Sequence, residues 1–139
     1  MLSNNSSEPS VTLLTKMSSD LRDLLKRERR LRTTIDAVHH FADNYQQETD
    51  KDQLEIRLDR LENAFEEFGE VREKITVILD EADEDKAGQA GETKAAQQAW
   101  LDAASKRRDA ENSAILTEME NLFCKIKASL MQRRPKGNS

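Results

Sequence analysis

The chain has 139 residues, with 22 lysines and arginines against 27 aspartates and glutamates, so its formal net charge at pH 7 is −5. Hydrophobic residues make up 36% of the sequence, well below the roughly 45–50% of an ordinary globular domain. Four glycines and two prolines are too few for the many turns of a sheet-rich protein. This composition excludes all-β and α/β folds and predicts one elongated all-α domain, because thin helical assemblies bury only one stripe per helix.

Residues 1–17 are rich in serine and asparagine, and they are predicted to form a disordered arm. The first helix is predicted over residues 18–48, with Ser18 or Ser19 as its N-cap. Its core-side positions alternate steps of three and four residues, which is the heptad pattern of coiled coils. These positions are Leu21, Leu24, Glu28, Leu31, Ile35, Val38, Ala42 and Tyr45.

The second helix is predicted over residues 51–83, started by Asp50 with Gln53 at capping-box spacing. Only a few residues near Thr49 join it to the first helix, so the two should form an antiparallel hairpin. Its core-side positions alternate in the same way and are Leu54, Leu58, Leu61, Phe65, Phe68, Arg72, Ile75, Leu79 and Ala82.

The third helix is predicted over residues 92–132, after a loop at residues 84–91 that contains both mid-chain glycines. A basic disordered tail is predicted over residues 133–139, because proline and glycine end the helix there. Residues 18–132 are thus predicted to form an antiparallel three-helix bundle or coiled coil. The alanines of the third helix are expected beside Phe65 and Phe68, small residues against large ones.

Each predicted hairpin helix has one charged residue on its core side, Glu28 in the first and Arg72 in the second. Folding about the turn places both in the same layer. We expect a partly buried ion pair that fixes the register of the hairpin, as single polar seam residues can. Two independently solvated charges are the alternative.

Five basic residues lie within seven positions of the first helix: Lys26, Arg27, Arg29, Arg30 and Arg32. Such a cluster is typical of a phosphate-binding patch for nucleic acid or an anionic membrane surface. No aromatic residues interleave with these cations, and the whole chain is acidic. We therefore favour a solvated face that pairs with acidic residues of the second helix, with nucleic-acid binding as the alternative.

A dense apolar stripe follows in the third helix, formed by Ile115, Met119, Leu122, Phe123, Ile126 and Leu130. Packing against the first two helices is the default interpretation. If those helices cannot cover the stripe, it would be an interface for self-association or for a partner helix.

The sequence contains no Gly-rich phosphate loop, nucleophile elbow or zinc signature. His39 and His40 are adjacent and point about 100° apart on a helix, so they cannot chelate one metal ion. Cys124 is the single cysteine, which excludes an internal disulfide and a cysteine-based zinc site. We predict a protein that is not an enzyme and has no cofactor or metal. Because no apolar run approaches a membrane span, we expect it in the cytoplasm or the nucleus.

Several blocks of the sequence resemble a known family. Leu21-x-x-Leu24, Arg29-Arg30-Leu31, Ile35, Phe41 and Tyr45 are followed by Asp52-Gln53-Leu54-x-x-Arg57-Leu58-x-x-Leu61 and Phe68-x-x-Val71-x-x-x-Ile75. This order is similar to the N-terminal gag-type segment of Bel/Pao-like LTR retrotransposons, where an Arg-rich first helix precedes a "QLxxRLxxL…F" second helix. The stretch from Arg108-Asp109-Ala110-Glu111 to Leu122-Phe123-x-x-Ile126-Lys127-Ala128 resembles the closing helix of that family.

The resemblance covers about residues 21–130 and implies a structural, non-enzymatic module used in the self-assembly of particles. Its source would be a mobile element or a host gene derived from one. We expect a homo-oligomeric scaffold that acts through coiled-coil contacts with itself or with a partner helix. A monomeric adaptor or tether in a larger intracellular complex is the second expectation, and a weak nucleic-acid binder is the third.

Overall fold

The computed structural model describes the backbone of residues 2–135 and the side chains of residues 19–135. Its elements are α1 (Leu2–Asp43), the short α2 (Gln47–Asp50), a 3-10 turn (Lys51–Gln53), α3 (Leu54–Ala87) and α4 (Lys94–Gln132). No strand occurs between residues 2 and 135, which confirms the predicted all-helical class. In this described part, none of the helices has the length and apolar character needed to cross a bilayer.

Helix α1 begins at Leu2, upstream of the predicted start at Ser18, so the backbone of the predicted arm from residue 2 onward is helical. The sequence offers a reason, because Leu14 and Met17 continue the three-and-four spacing that leads into Leu21. The heptad pattern therefore extends into the segment predicted to be disordered.

Helix α1 ends at Asp43, five residues earlier than predicted. The side-chain amide of Asn44 donates to the carbonyl of His40 at 2.9 Å, and such local bonds compete with continued helix. Tyr45 consequently lies in the turn. The predicted capping box is not formed, because the Asp50 carboxylate instead accepts from the backbone N–H of Gln46 at 2.9 Å.

The connection between α3 and α4 spans residues 88–93, slightly later than the predicted loop. At Gly91 an added Cβ would come within 2.7 Å of the Ala96 Cβ, so the close approach requires glycine. Thr93 is the N-cap of α4, and its hydroxyl accepts from the backbone N–H of Ala96 at 3.1 Å. This cap places the start of α4 directly after the loop.

The three long helices pack together, with α3 in contact with both α1 and α4. Helices α1 and α3 are antiparallel, so later residues of α1 contact earlier residues of α3. Near the turn, the Arg57 guanidinium lies 4.9 Å from the ring centre of Phe41, and farther away Arg32 lies 5.2 Å from that of Phe68. The hydrophobic core is concentrated toward the turn and comprises Ile35, Val38, Ala42, Leu54, Leu58, Leu61, Ala64, Phe68, Met119, Ile126 and Leu130.

Helix α4 returns along α3, and its register differs from the sequence expectation. The Phe65 ring stacks on Phe123, with centroids 4.3 Å apart and planes 14° apart. The ion pair of Lys127 with Glu62, at 3.2 Å, belongs to the same region. The placement of the alanines beside Phe65 is therefore wrong, because this ring faces the C-terminal half of α4. Of the alanines concerned, Ala104 is buried, whereas Ala103, Ala110 and Ala114 are exposed.

The first residues of the predicted basic tail are bound to the turn region. Arg134 donates from Nε and Nη2 to the two carboxylate oxygens of Glu55, at 2.6 and 2.7 Å. The Arg133 guanidinium lies 5.0 Å from the Tyr45 ring centre. Residues 133 and 134 thus contact the turn region, and the sequence did not predict these contacts. The tail residues 136–139 lie outside the described residues.

Candidate interaction surface

A polar layer inside the molecule joins all three long helices. Glu28 of α1 and Arg72 of α3 are each only 9% exposed, and Arg72 Nη1 donates to Glu28 Oε1 at 2.8 Å. Arg72 Nε donates to Asn112 Oδ1 of α4 at 3.0 Å. The structure thus brings together the two residues that the sequence placed in one layer. Asn112 was missed, although its spacing to Ile115 and Met119 continues the core-side pattern of α4.

A second ion cluster, partly buried and also missed from the sequence, links α3 to α4. Asp83 is only 7% exposed and accepts from Arg108 Nη1, which also lies 3.3 Å from Asp80 Oδ1. The hydrogen bond to Asp83 raises the pKa of Arg108 above its usual value. Arg108 precedes Asn112 by four residues, so the core side of α4 is polar in this half. The four-residue spacing from Arg108 to Asn112 is the feature of the sequence that could have predicted this cluster.

The apolar stripe of α4 is part of the core of the single chain. Met119, Ile126 and Leu130 are buried. Ile115, Leu122 and Phe123 are half-buried and pack against the same core. The stripe is therefore not the free oligomer face that the sequence left open. The physical reason is that α3 presents large apolar residues, among them Phe65, to this side of α4.

The basic cluster of α1 is divided between two environments. Arg27 Nη2 donates to Glu67 Oε2 of α3 at 2.9 Å, and the Arg32 guanidinium lies over the Phe68 ring. Arg27 thus pairs with an acidic residue of the second hairpin helix as expected, whereas Arg32 contacts an aromatic ring of that helix.

The other three cations, Lys26, Arg29 and Arg30, are exposed and line a shallow depression together with Thr33 and Thr34. Both threonine hydroxyls donate to backbone carbonyls of α1. None of the three cations forms an ion pair with another residue of the described part of the chain. They are therefore available to a partner.

An open groove runs between α1 and α3, formed by two depressions. One has a volume of about 860 Å³ and lies between residues 20–27 and 70–78. The other has a volume of about 670 Å³ and lies between residues 31–37 and 56–67. Arg27 lines the first and Glu67 the second, so their ion pair crosses the groove. Every lining residue belongs to α1 or α3, which leaves this side of the hairpin uncovered by α4.

The groove combines exposed apolar side chains with oppositely charged edges. Ile56 is 59% exposed and Val77 is 50% exposed, and Leu24 and Ile78 lie beside Val77. The charged side chains that line or adjoin the groove on α1 are four basic and two acidic ones, namely Lys26, Arg27, Arg29, Arg30, Asp20 and Asp23. Those that line it on α3 are four acidic and two basic ones, namely Asp59, Glu67, Glu70, Glu73, Arg60 and Lys74. Apolar surface with a charged rim is the arrangement of a helix-docking site.

The histidine pair is placed on the surface of α1. His39 Nε2 lies 3.4 Å from Asp43 Oδ2, and His40 contacts the side chain of Asn44. In the described residues, no group of three or more His, Cys, Asp or Glu side chains is arranged to hold a metal ion.

No protein-family model, curated protein or solved structure matches this chain.

Proposed function

We propose that this chain is a non-enzymatic helical module that associates with itself, as the gag-type resemblance implies. Its architecture would be an elongated antiparallel three-helix bundle with coiled-coil packing. One observation carries the proposal: the groove between α1 and α3 leaves Ile56 and Val77 exposed between charged edges. Burial of such surface against another helix is the usual driving force for association.

The burial of the α4 stripe supports the groove as the place where a partner binds. Since Met119, Ile126 and Leu130 are already covered within the chain, association through them would require α4 to leave the core. The groove needs no such opening, because its apolar side chains are already accessible. Self-association is thus compatible with a folded single chain.

The first experiment is light scattering coupled to size exclusion over a series of protein concentrations. We expect a mass that rises above the 15.9 kDa of one chain as concentration increases. Changing Ile56→Glu and Val77→Glu together should return the mass to that of a monomer while the helical circular dichroism is unchanged. Met131→Glu is the matched control, because Met131 is an exposed apolar residue of α4 that does not line the groove. A mass of 15.9 kDa at every concentration would contradict the proposal.

A monomeric adaptor is the second candidate, and the buried α4 stripe favours it. The chain completes its apolar core without a second copy, so it has the means to fold alone and offer the groove to a different helical protein. A monomer with full helical content in the same light-scattering series would favour this candidate over self-association.

A further inference from the structure

We propose that two copies pack groove to groove about a two-fold axis parallel to the helices. The basic α1 edge of each copy then lies over the acidic α3 edge of the other. This inference rests on the proposed self-association and identifies its interface. An interface of this kind is closed, because each copy contributes the same surface and none of that surface stays free for a third copy.

The relative heights of α1 and α3 follow from the buried Glu28–Arg72 pair. Arg30 lies two residues after Glu28, and Glu70 lies two residues before Arg72 on the oppositely directed helix. Arg30 and Glu70 therefore stand at the same height along the hairpin. A two-fold axis parallel to the helices preserves height and exchanges the two edges, so it brings Arg30 of each copy to Glu70 of the other.

Charge selects this axis over the competing one. A two-fold axis perpendicular to the helices would place α1 on α1 and α3 on α3, which joins edges of the same sign. The parallel axis joins the α1 edge, where four basic side chains outnumber Asp20 and Asp23, to the α3 edge, where four carboxylates outnumber Arg60 and Lys74. Like charges across an interface disfavour the wrong arrangement, and opposite charges fix the right one.

The exposed cations adjoin the groove. Thr33 and Thr34 line both the groove and the depression formed by Lys26, Arg29 and Arg30, so these two surfaces are continuous. The nearby Arg27 is already paired with Glu67 within the chain. Within the basic cluster of α1, the three cations without an ion-pair partner among the described residues thus border the docking face.

The same axis also brings apolar side chains together. Leu24 lies four residues before Glu28, and Val77 lies five residues after Arg72, so the two are nearly level. Val77 of each copy would then approach Leu24 of the other, with the exposed half of Val77 removed from water. Every helix of the resulting four-helix arrangement would have antiparallel neighbours, which the helix dipoles favour.

The decisive test is a charge exchange measured by sedimentation equilibrium at low salt. Arg30→Glu alone and Glu70→Arg alone should each weaken dimerisation by at least about tenfold, since each places like charges across the interface. The variant carrying both substitutions should regain most of the affinity. Arg107→Glu and Glu120→Arg are matched controls on the exposed surface of α4 and should leave dimerisation unchanged.

The outcomes separate this inference from the proposed function. Association that persists with either single substitution would leave self-association standing and overturn the groove interface. If the single substitutions weaken association and the double variant does not restore it, the two-fold pairing is overturned. A monomeric unmodified protein would reject both proposals.

Nucleic acid is the competing occupant of the basic edge, and one further measurement separates it. A labelled 20-mer oligonucleotide should show no salt-dependent binding to the unmodified protein. Binding that Arg30→Glu abolishes, with protein association unchanged, would assign the edge to phosphate groups and overturn the proposal.

Discussion

Arg72 and Glu28 are 44 residues apart in sequence, yet Arg72 Nη1 donates to Glu28 Oε1 at 2.8 Å in the interior between α1 and α3. A charged group removed from water is costly unless an opposite charge and further hydrogen bonds compensate it. Here Asn112 supplies the additional acceptor for Arg72. These bonds therefore stabilise one alignment of the three helices, because any shift that separates the partners leaves a buried charge uncompensated.

Truncating either member of this pair should destabilise the protein strongly. Glu28→Ala or Arg72→Ala leaves the other charge buried, and each should lower the free energy of unfolding by about 3 kcal/mol. The double variant should cost less than the sum of the two by at least about 1 kcal/mol. Urea unfolding followed by circular dichroism gives all three values. Additive effects would show that the pair does not act as a unit.

Arg108→Ala should destabilise the protein because it leaves Asp83 buried without its partner. We expect a loss of about 2–4 kcal/mol in the free energy of unfolding, against a change within about 0.5 kcal/mol for the exposed neighbour Arg107→Ala. The raised pKa of Arg108 keeps the guanidinium charged at all pH values below its ordinary range. Its stabilising contribution is lost only at extreme alkaline pH. The difference in the free energy of unfolding between the two variants should therefore be the same at pH 6 and at pH 8. Equal stability of the two variants would show that Arg108 does not compensate the buried charge of Asp83.

The pKa of the Glu55 carboxyl should lie below the usual range for glutamate. The two hydrogen bonds from Arg134 favour the charged carboxylate and lower this pKa. A lowered carboxyl pKa stabilises the folded state above the ordinary pKa, and the contribution is lost as pH falls through the folded value. Side-chain carboxyl NMR across an acid titration measures the shift directly. Arg134→Gln should return the pKa to its usual range, whereas Arg133→Gln should not. An ordinary pKa in the unmodified protein would mean that Arg134 does not bind the turn.

Tyr45→Phe should leave the protein equally stable or make it more stable. The Tyr45 hydroxyl is buried and has no hydrogen-bond partner among the described residues, which is an unfavourable situation for a polar atom. The ring itself packs edge-on against Phe41, with centroids 5.7 Å apart. Removal of the hydroxyl should raise the free energy of unfolding by up to about 1 kcal/mol, whereas Tyr45→Ala should lower it by about 2–3 kcal/mol. A clear loss of stability in Tyr45→Phe would show that the hydroxyl has a partner in solution.

The helical class and the hairpin were accessible from the sequence because they depend on local spacing. Steps of three and four residues identify the side of each helix that is buried, whatever the helix packs against. The short connection near Thr49 then favours a return of α3 along α1 as an antiparallel hairpin. These two facts together also place Glu28 level with Arg72, but they left open whether the two charges pair or are solvated independently.

The element ends were less accessible, because they depend on competing local hydrogen bonds. The sequence permitted a helix through residue 48, but the Asn44 side chain bonds back to His40 and the Asp50 carboxylate closes the turn. The contacts of two residues beyond α4 were inaccessible for a different reason. Arg133 and Arg134 contact Tyr45 and Glu55, which are distant in sequence and adjacent only after folding.

By itself, the sequence determined that this protein is helical, which side of α1 and α3 is buried, and that each of these helices has one charged residue in the same layer. Tertiary structure alone decided how α4 is placed along α3, and with it the contacts of Phe65 with Phe123 and of Arg108 with Asp83. It also decided that the α4 stripe belongs to the core and that the groove between α1 and α3 stays open. The physical reason is that a heptad pattern specifies a buried side but leaves free the sliding and rotation of one helix against another. Those two variables are set only when the large side chains and buried charges of all three helices are satisfied together.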